Sequence, residues 1–233
     1  MKEIRIAIIE DDPFIAKYLQ IILRGLGYIA LAPKSNLKDT YKLIEIEKPD
    51  IVITDFQLSA NETSEMLASY IHDNNYNIPI VLYSAYDIQF FSKSQSEFFP
   101  DIFLGKPSNK EEIDIALEYC LYRREVLKSM EQEEKWRSEF MGHKHIDILY
   151  LIQQEDRVSL QTKEGAFEYV DLDWDQIILP EDIFFKINTH LIGNILHFKT
   201  LSNFTLNFFN KKFPFESKFK QEFIQKIKQL NSL

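Results

Sequence analysis

Only one cysteine, Cys120, occurs in 233 residues, so no disulfide can form within the chain and the thiol content suits a reducing compartment. No window approaches the ~20 consecutive apolar residues that a membrane-spanning helix needs. The N-terminal stretch lacks the apolar core and small-residue cleavage site of a secretory signal. Together these absences predict a soluble, cytoplasmic protein with no membrane partner. Positive charge is not in excess either: 27 Lys and Arg against 36 Asp and Glu leave a formal charge of −9. That balance argues against a surface that binds nucleic acid throughout. Neither a repeat nor a low-complexity tract interrupts the sequence.

What is present divides unevenly. Residues 1–125 hold 13 basic and 20 acidic side chains, residues 126–143 hold 3 and 4, and residues 144–233 hold 11 and 12. The acidity therefore belongs to the first half. With 45% hydrophobic residues, two domains of ordinary size can each bury a core.

The stretch IRIAIIEDDP, Ile4 to Pro13, sets the organisation of the first half. A run apolar on both faces reads as a buried parallel strand, and it runs directly into Glu10, Asp11 and Asp12. Helical spacing follows from Phe14 to Leu26, with Pro13 in the first turn. Tyr28 to Ala32 reads as a short strand and Leu37 to Glu47 as a helix. Ile51 to Thr54 form a third strand that ends on Asp55. Residues 61–73 read as helix, and Ile80 to Tyr83 as a strand ending on Ser84. A weaker helix is predicted over 87–97. Ile102 to Leu104 lead to Gly105, Lys106 and Pro107, and a long helix begins after Ser108, read as an N-cap with Glu111 three residues on.

Strands alternating with helices predict a parallel sheet with right-handed crossovers. Asp11, Asp12, Asp55, Ser84 and Lys106 then fall at the carboxyl ends of four strands, on the edge where open α/β sheets place their ligands. Three carboxylates in one crevice make a hard oxygen site for Mg²⁺. A carboxylate beside a bound cation can attack a phosphoryl donor, and Lys106 and Ser84 can bind phosphoryl oxygens. A phosphorylated Asp55 would gain about −1.5 to −2 charges, which those two groups can sense.

On the pieces IIEDD, VITD, VLYSA and FLGKP, residues 1–125 resemble the receiver domain of two-component response regulators. The resemblance implies a doubly wound five-stranded parallel sheet of flavodoxin-like topology. It implies Asp55 as phosphoacceptor, Ser84 as switch hydroxyl, Phe103 as switch aromatic and Lys106 as the partner of the phosphoryl group. It also implies Mg²⁺ held by Asp11, Asp12, Asp55 and the backbone carbonyl of Gln57, with a sensor histidine kinase as phosphodonor. Catalysis is then limited to self-phosphorylation and slow hydrolysis of the acyl phosphate, so the chain is not expected to be an enzyme in the metabolic sense. The loop FQLSANETSEML departs from the family in lacking Pro and Gly.

From Glu111 to about Phe140 neither Pro nor Gly occurs. The reading is one long helix that leaves the receiver and serves as a linker over 126–143, with Gly142 as the boundary. Its broken apolar stripe includes Leu121, Leu127, Met130 and Trp136. His143 and His145, lacking further ligand residues nearby, do not make a metal site.

After Gly142 the pattern changes to short strands, a short helix before Pro180 and a final helix from Ser217. This predicts a mainly antiparallel β domain over 144–233. The stretches ILYLIQQEDRVSLQT, LPEDIFFKINTHLIGN and FPFESKFKQEF resemble the LytTR-type DNA-binding domain, with Lys186, Asn188, Gly193 and Asn194 where that family usually has Arg, His and a closing Val-Asn. The resemblance implies contacts from Arg157, Lys186, Asn188, Thr189, Lys218 and Lys220 to promoter DNA, at repeated sites occupied by a homodimer formed on phosphorylation. Lys211 to Lys228 carry six Lys against two Glu, the local basic footprint such a face requires. The rival reading is a phospho-dependent protein-interaction switch whose second domain no longer binds DNA. No Ser/His/Asp, metal-ligand or phosphate-loop set occurs in 144–233 to support an enzymatic output.

Overall fold

The computed structural model describes residues 3–59, 61–85, 100–132, 139–170, 172–202, 205–208 and 211–230. The helix expected over 87–97 and Trp136 of the linker stripe lie outside them. The chain divides into two compact units, Met1–Cys120 and Leu121–Asn231.

In the first unit, strands β1 (Arg5–Ile9), β2 (Ile29–Ala30), β3 (Ile51–Thr54), β6 (Ile80–Ser84) and β7 (Ile102–Gly105) pair in the order β2-β1-β3-β6-β7, all parallel. Helices α1 (Pro13–Gly25), α2 (Leu37–Glu47), α3 (Ser64–Asp73) and α4 (Lys110–Gln132) alternate with them. Ile6, Ala7, Ile8 and Ile9 are fully buried, as are Ile51 and Val52. Covering by helices on both faces is why these strands are continuous rather than alternating in hydrophobicity.

Local chemistry sets the helix starts. The Asp12 side chain accepts from the amides of Phe14 and Ile15, with Pro13 in the first turn, so α1 begins there. For α4 the cap is Asn109, not Ser108: the Asn109 side chain accepts from the Glu112 amide at 3.0 Å, and the Glu112 carboxylate accepts from the Asn109 amide at 2.9 Å. Ser108 instead donates its hydroxyl to the Gly105 carbonyl at 2.6 Å. The helix expected from residue 61 starts at Ser64. Before it, β4 (Gln57–Ser59) and β5 (Glu62–Thr63) form a small antiparallel hairpin, which is how the loop lacking Pro and Gly is built. Glu62 accepts from the Leu37 amide at 3.0 Å and so also caps α2.

The second unit opens inside α4. Tyr122, 1% exposed, donates its hydroxyl to the Asp182 carbonyl at 2.8 Å and meets the Phe185 ring edge-on. The expected linker helix thus contributes to this unit's own packing, and α4 ends at Gln132. Gly142, expected at the domain boundary, lies inside the second unit. Met141 and Gly142 both have positive φ (52° and 80°) and join β8 (Glu139–Phe140) to β9 (His143–Lys144), the conformation that two-residue hairpins favour.

Strands β10 (Ile148–Gln154), β11 (Arg157–Thr162), β12 (Ala166–Val170), β13 (Phe184–Asn188) and β14 (Leu191–Asn194) form an antiparallel sheet in the order β12-β11-β10-β14-β13. A further meander comprises β15 (Phe198–Ser202), β16 (Thr205–Phe208) and β17 (Lys211–Pro214). Helix α5 (Ser217–Leu230) buries Phe219, Phe223 and Ile227 along one face. The Phe223 ring lies 5.0 Å from Phe185 and 5.6 Å from Phe215. The antiparallel β organisation matches the expectation for this half. Among the described residues no helix is long and apolar enough to cross a membrane.

Candidate functional site

Parallel pairing of β1 with β3 sets Ile9 beside Thr54. The next residues, Glu10 and Asp55, are therefore the first to leave two adjacent strands at the same edge. The Asp55 amide donates to the Ile9 carbonyl at 3.0 Å, closing the edge behind the side chain. Lys106 reaches the same point from the end of β7, where its amide donates to the Ser84 carbonyl at 2.8 Å. The Lys106–Pro107 peptide bond is cis.

Lys106 Nζ donates to Asp55 Oδ2 at 2.7 Å and to Glu10 Oε2 at 2.6 Å. The other Asp55 oxygen accepts from the Phe56 amide at 2.6 Å. Asp55 keeps 19% of its side chain exposed whereas Glu10 keeps 2%, so Asp55 is the carboxylate that a donor from solvent can reach. Burial raises the Glu10 pKa, against the opposing hydrogen bond from Lys106. For Lys106, burial works against the charge, but hydrogen bonds to Asp55 and Glu10 outweigh it and the pKa stands above the ordinary lysine value. The Tyr83 ring lies 5.3 Å beneath the ammonium.

Carboxylate oxygens of Glu10, Asp11 and Asp55 lie within 4.8 Å of one another. Three hard oxygen donors with Asp11 open to water fit a divalent cation that keeps part of its hydration shell. Asp12 does not join them, because its side chain is committed to the first turn of α1. Glu10 takes its place in the cluster, one residue earlier than the expected acidic pair. The strand register carries the signal for this, since Glu10 follows β1 as directly as Asp55 follows β3. Gln57, two residues after Asp55, opens β4 opposite Thr63. Ser84 ends β6 and is 1% exposed. Phe103 is buried in β7 against Leu82 and Phe56.

In the second unit the structure draws the three expected DNA-contact stretches to one end of the sheet. Ile152 pairs with Leu191, and the Gln153 amide donates to the His190 carbonyl at 2.8 Å, so the β10–β11 and β13–β14 turns are neighbours. The Glu216 amide donates to the Ile187 carbonyl at 3.1 Å, which brings the start of α5 alongside. Lys186, Thr189 and Lys218 are exposed, and Asn188 and Lys220 are half-buried. The Asn188 side chain accepts from the His190 amide at 2.9 Å, and the Lys218 ammonium lies 5.5 Å from the Phe219 ring. Arg157 differs: it donates to Glu168 at 3.3 Å and lies 3.9 Å from Asp156. It lines a cavity of about 310 Å³ with Glu155, Asp156 and Asp173, so its charge is offset locally.

Comparison with known proteins bears on the first unit above all. Residues 6–118 match the family model of the response regulator receiver domain. The Phyllosphere-induced regulator PhyR of Methylorubrum extorquens is 25% identical over 118 residues, 50% of this chain and 43% of that protein. The chain thus spans under half the length of that relative. The uncharacterized transcriptional regulatory protein YbdJ of Bacillus subtilis is 28% identical over 182 residues, covering 73% of this chain and 79% of YbdJ. Among solved structures, the signal receiver domain of a modulated diguanylate cyclase from Desulfovibrio desulfuricans is 22% identical, with a TM-score of 0.48 over 54% of this chain and 99% of that one.

Proposed function

We propose that this chain, whose first half is a response regulator receiver domain, is a phosphorylation-gated transcriptional regulator with a LytTR-like DNA-binding second half. The observation that carries the first part is the half-buried but solvent-accessible Asp55 carboxylate held by Lys106 beside Glu10 and Asp11. An Asp55 oxygen attacks the phosphorus of a phosphohistidine on a sensor histidine kinase. The P–N bond breaks, and the imidazole leaves with the bonding pair and takes up a proton. Lys106 holds Asp55 in place and neutralises a phosphoryl oxygen as it arrives. Mg²⁺ bound by Glu10, Asp11 and Asp55 would screen the remaining phosphoryl charge. Ser84, at the end of β6, and Phe103, buried in the neighbouring β7, respond to the added charge and favour a homodimer on phosphorylation.

Support for the second part is the gathering of residues 188–190 and 216–220 at one sheet end, the latter within the lysine-rich Lys211–Lys228 segment, together with the likeness to a transcriptional regulatory protein. Asn188 and Thr189 read base edges there, while Lys218 and Lys220 contact phosphates. Upstream DNA titrated at several salt concentrations tests this. Steep loss of binding with salt, and stronger binding with beryllofluoride-treated protein than with Asp55→Asn, are the expected results. Binding equal on random DNA, in both states, would favour the second reading.

That reading is a phospho-dependent protein-interaction switch, and the environment of Arg157 favours it. Three carboxylates around the β10–β11 turn repel phosphate, so Arg157 does not act as a strong DNA contact.

A further inference from the structure

A groove of about 450 Å³ runs between α5 and β13, walled by Ile177, Leu179, Phe184, Phe185, Phe219 and Phe223. At its lip stands Ile178, 88% exposed. An isoleucine held out to water beside an aromatic groove offers apolar area that association would remove from water.

Its charges are arranged unequally. Lys226, on α5, pairs with Glu181 at 3.2 Å and covers the Phe185 ring at 5.3 Å. Lys186 on β13 and Glu222 on α5 are both exposed, and neither pairs with an opposite charge among the described residues. The patch therefore offers an apolar knob, an apolar hollow, one open cation and one open anion, the last two on facing walls. A surface with both halves of each complementary pair fits a copy of itself, because a twofold axis makes every contact between two different residues occur twice.

We propose that this face is a twofold interface between two copies of the chain. Ile178 of each copy enters the partner's groove, and Lys186 of each pairs with Glu222 of the other. In that arrangement Lys186 is an intersubunit contact rather than a phosphate contact, which removes it from the DNA face. The pairing uses the second unit alone and is separate from the association that phosphorylation of Asp55 favours, so its failure would leave the phosphorylation and DNA readings untouched.

The test is sedimentation equilibrium of the full, unphosphorylated chain across a concentration series, with circular dichroism confirming the fold of each variant. The wild type is expected to dimerise. Ile178→Asp should raise the dissociation constant by about tenfold or more, the effect of losing roughly 1.4 kcal/mol. Lys186→Glu alone should weaken the dimer, and combining it with Glu222→Lys should restore it, since the swapped charges again oppose across the axis. A chain that stays monomeric to its solubility limit would overturn the proposal, even if the groove took up an apolar dye. So would a dimer indifferent to Ile178→Asp, or a charge swap that fails to restore association.

Discussion

At the scale of single residues, the assignment of carboxylates around Asp55 has measurable consequences. Asp12 caps α1 through two backbone amides, so Asp12→Ala should cost about 1 kcal/mol of stability. It should leave Mg²⁺-dependent phosphorylation by acetyl phosphate intact. Glu10→Gln and Asp11→Asn should instead weaken that Mg²⁺ dependence with little change in melting temperature. Phosphorylation assays run against Mg²⁺ concentration separate the two patterns, and a loss of Mg²⁺ response in Asp12→Ala alone would reverse the assignment. His145 supplies a pH signature. It is buried beside Phe184, and burial lowers its pKa below the ordinary 6.5. The unfolded chain therefore takes up a proton near that value while the folded chain still resists it. Stability contributed by neutral His145 is present above about pH 6.5 and is lost as pH falls toward the folded pKa. Melting curves of wild type and His145→Gln should show a shallower acid dependence in the variant.

At the scale of elements, α1 has one face committed and one open. Ala16, Leu19 and Leu23 are buried, whereas Phe14, Tyr18 and Ile21 form an exposed stripe at i, i+4 and i+7, with Phe14 85% exposed. The stripe begins two residues after Asp12, at the edge where Asp55 waits. A protein phosphodonor that docks at this edge is expected to bury part of it. Phe14→Asp should therefore slow phosphotransfer from a cognate kinase at least tenfold while leaving acetyl phosphate as good a donor as before. Equal losses with both donors would mean that the substitution had disturbed the site itself. Tyr18 also ties this helix to the Ser108 carbonyl through its hydroxyl at 2.8 Å, and Lys110 reaches the Gly25 carbonyl at 2.9 Å. The helix is thus anchored through a residue of the stripe itself and at its C-terminal end.

At the scale of the whole molecule, the division of the chain falls inside α4, between Cys120 and Leu121. Tyr122 belongs to the second unit through Asp182 and Phe185. A fragment starting at residue 144, the boundary suggested by composition, removes that hydroxyl and ring. The Asp182 carbonyl then loses its partner, and Phe185 loses an aromatic contact worth about 0.5–1.5 kcal/mol beyond area. Urea denaturation should find a fragment starting at Leu121 more stable than one starting at Lys144. Equal midpoints would show that the helix contributes nothing to that unit.

The sequence alone determined the alternation of apolar strands and helices, and with it the parallel sheet and the convergence of Asp55, Ser84 and Lys106 on one edge. Those follow from burial and period, which are local properties of the chain. It also placed Lys218 and Lys220 at the start of a final helix from Ser217, where they stand. Only the tertiary structure decided which carboxylates meet. Asp11 and Asp12 are equivalent as letters, but the start of α1 claims Asp12 for its unsatisfied amides, and register with β3 brings in Glu10. The same one-residue offset separates Ser108 from Asn109 at the start of α4. Composition could not show that the helix after Glu111 serves two units, because burial of Tyr122 comes from residues about 60 positions away. Nor could it show that Arg157, a cation by sequence, is matched by Glu168 across a strand pair. Charge pairing and capping depend on partners distant in sequence or on exact turn geometry, and neither is written in hydrophobic periodicity.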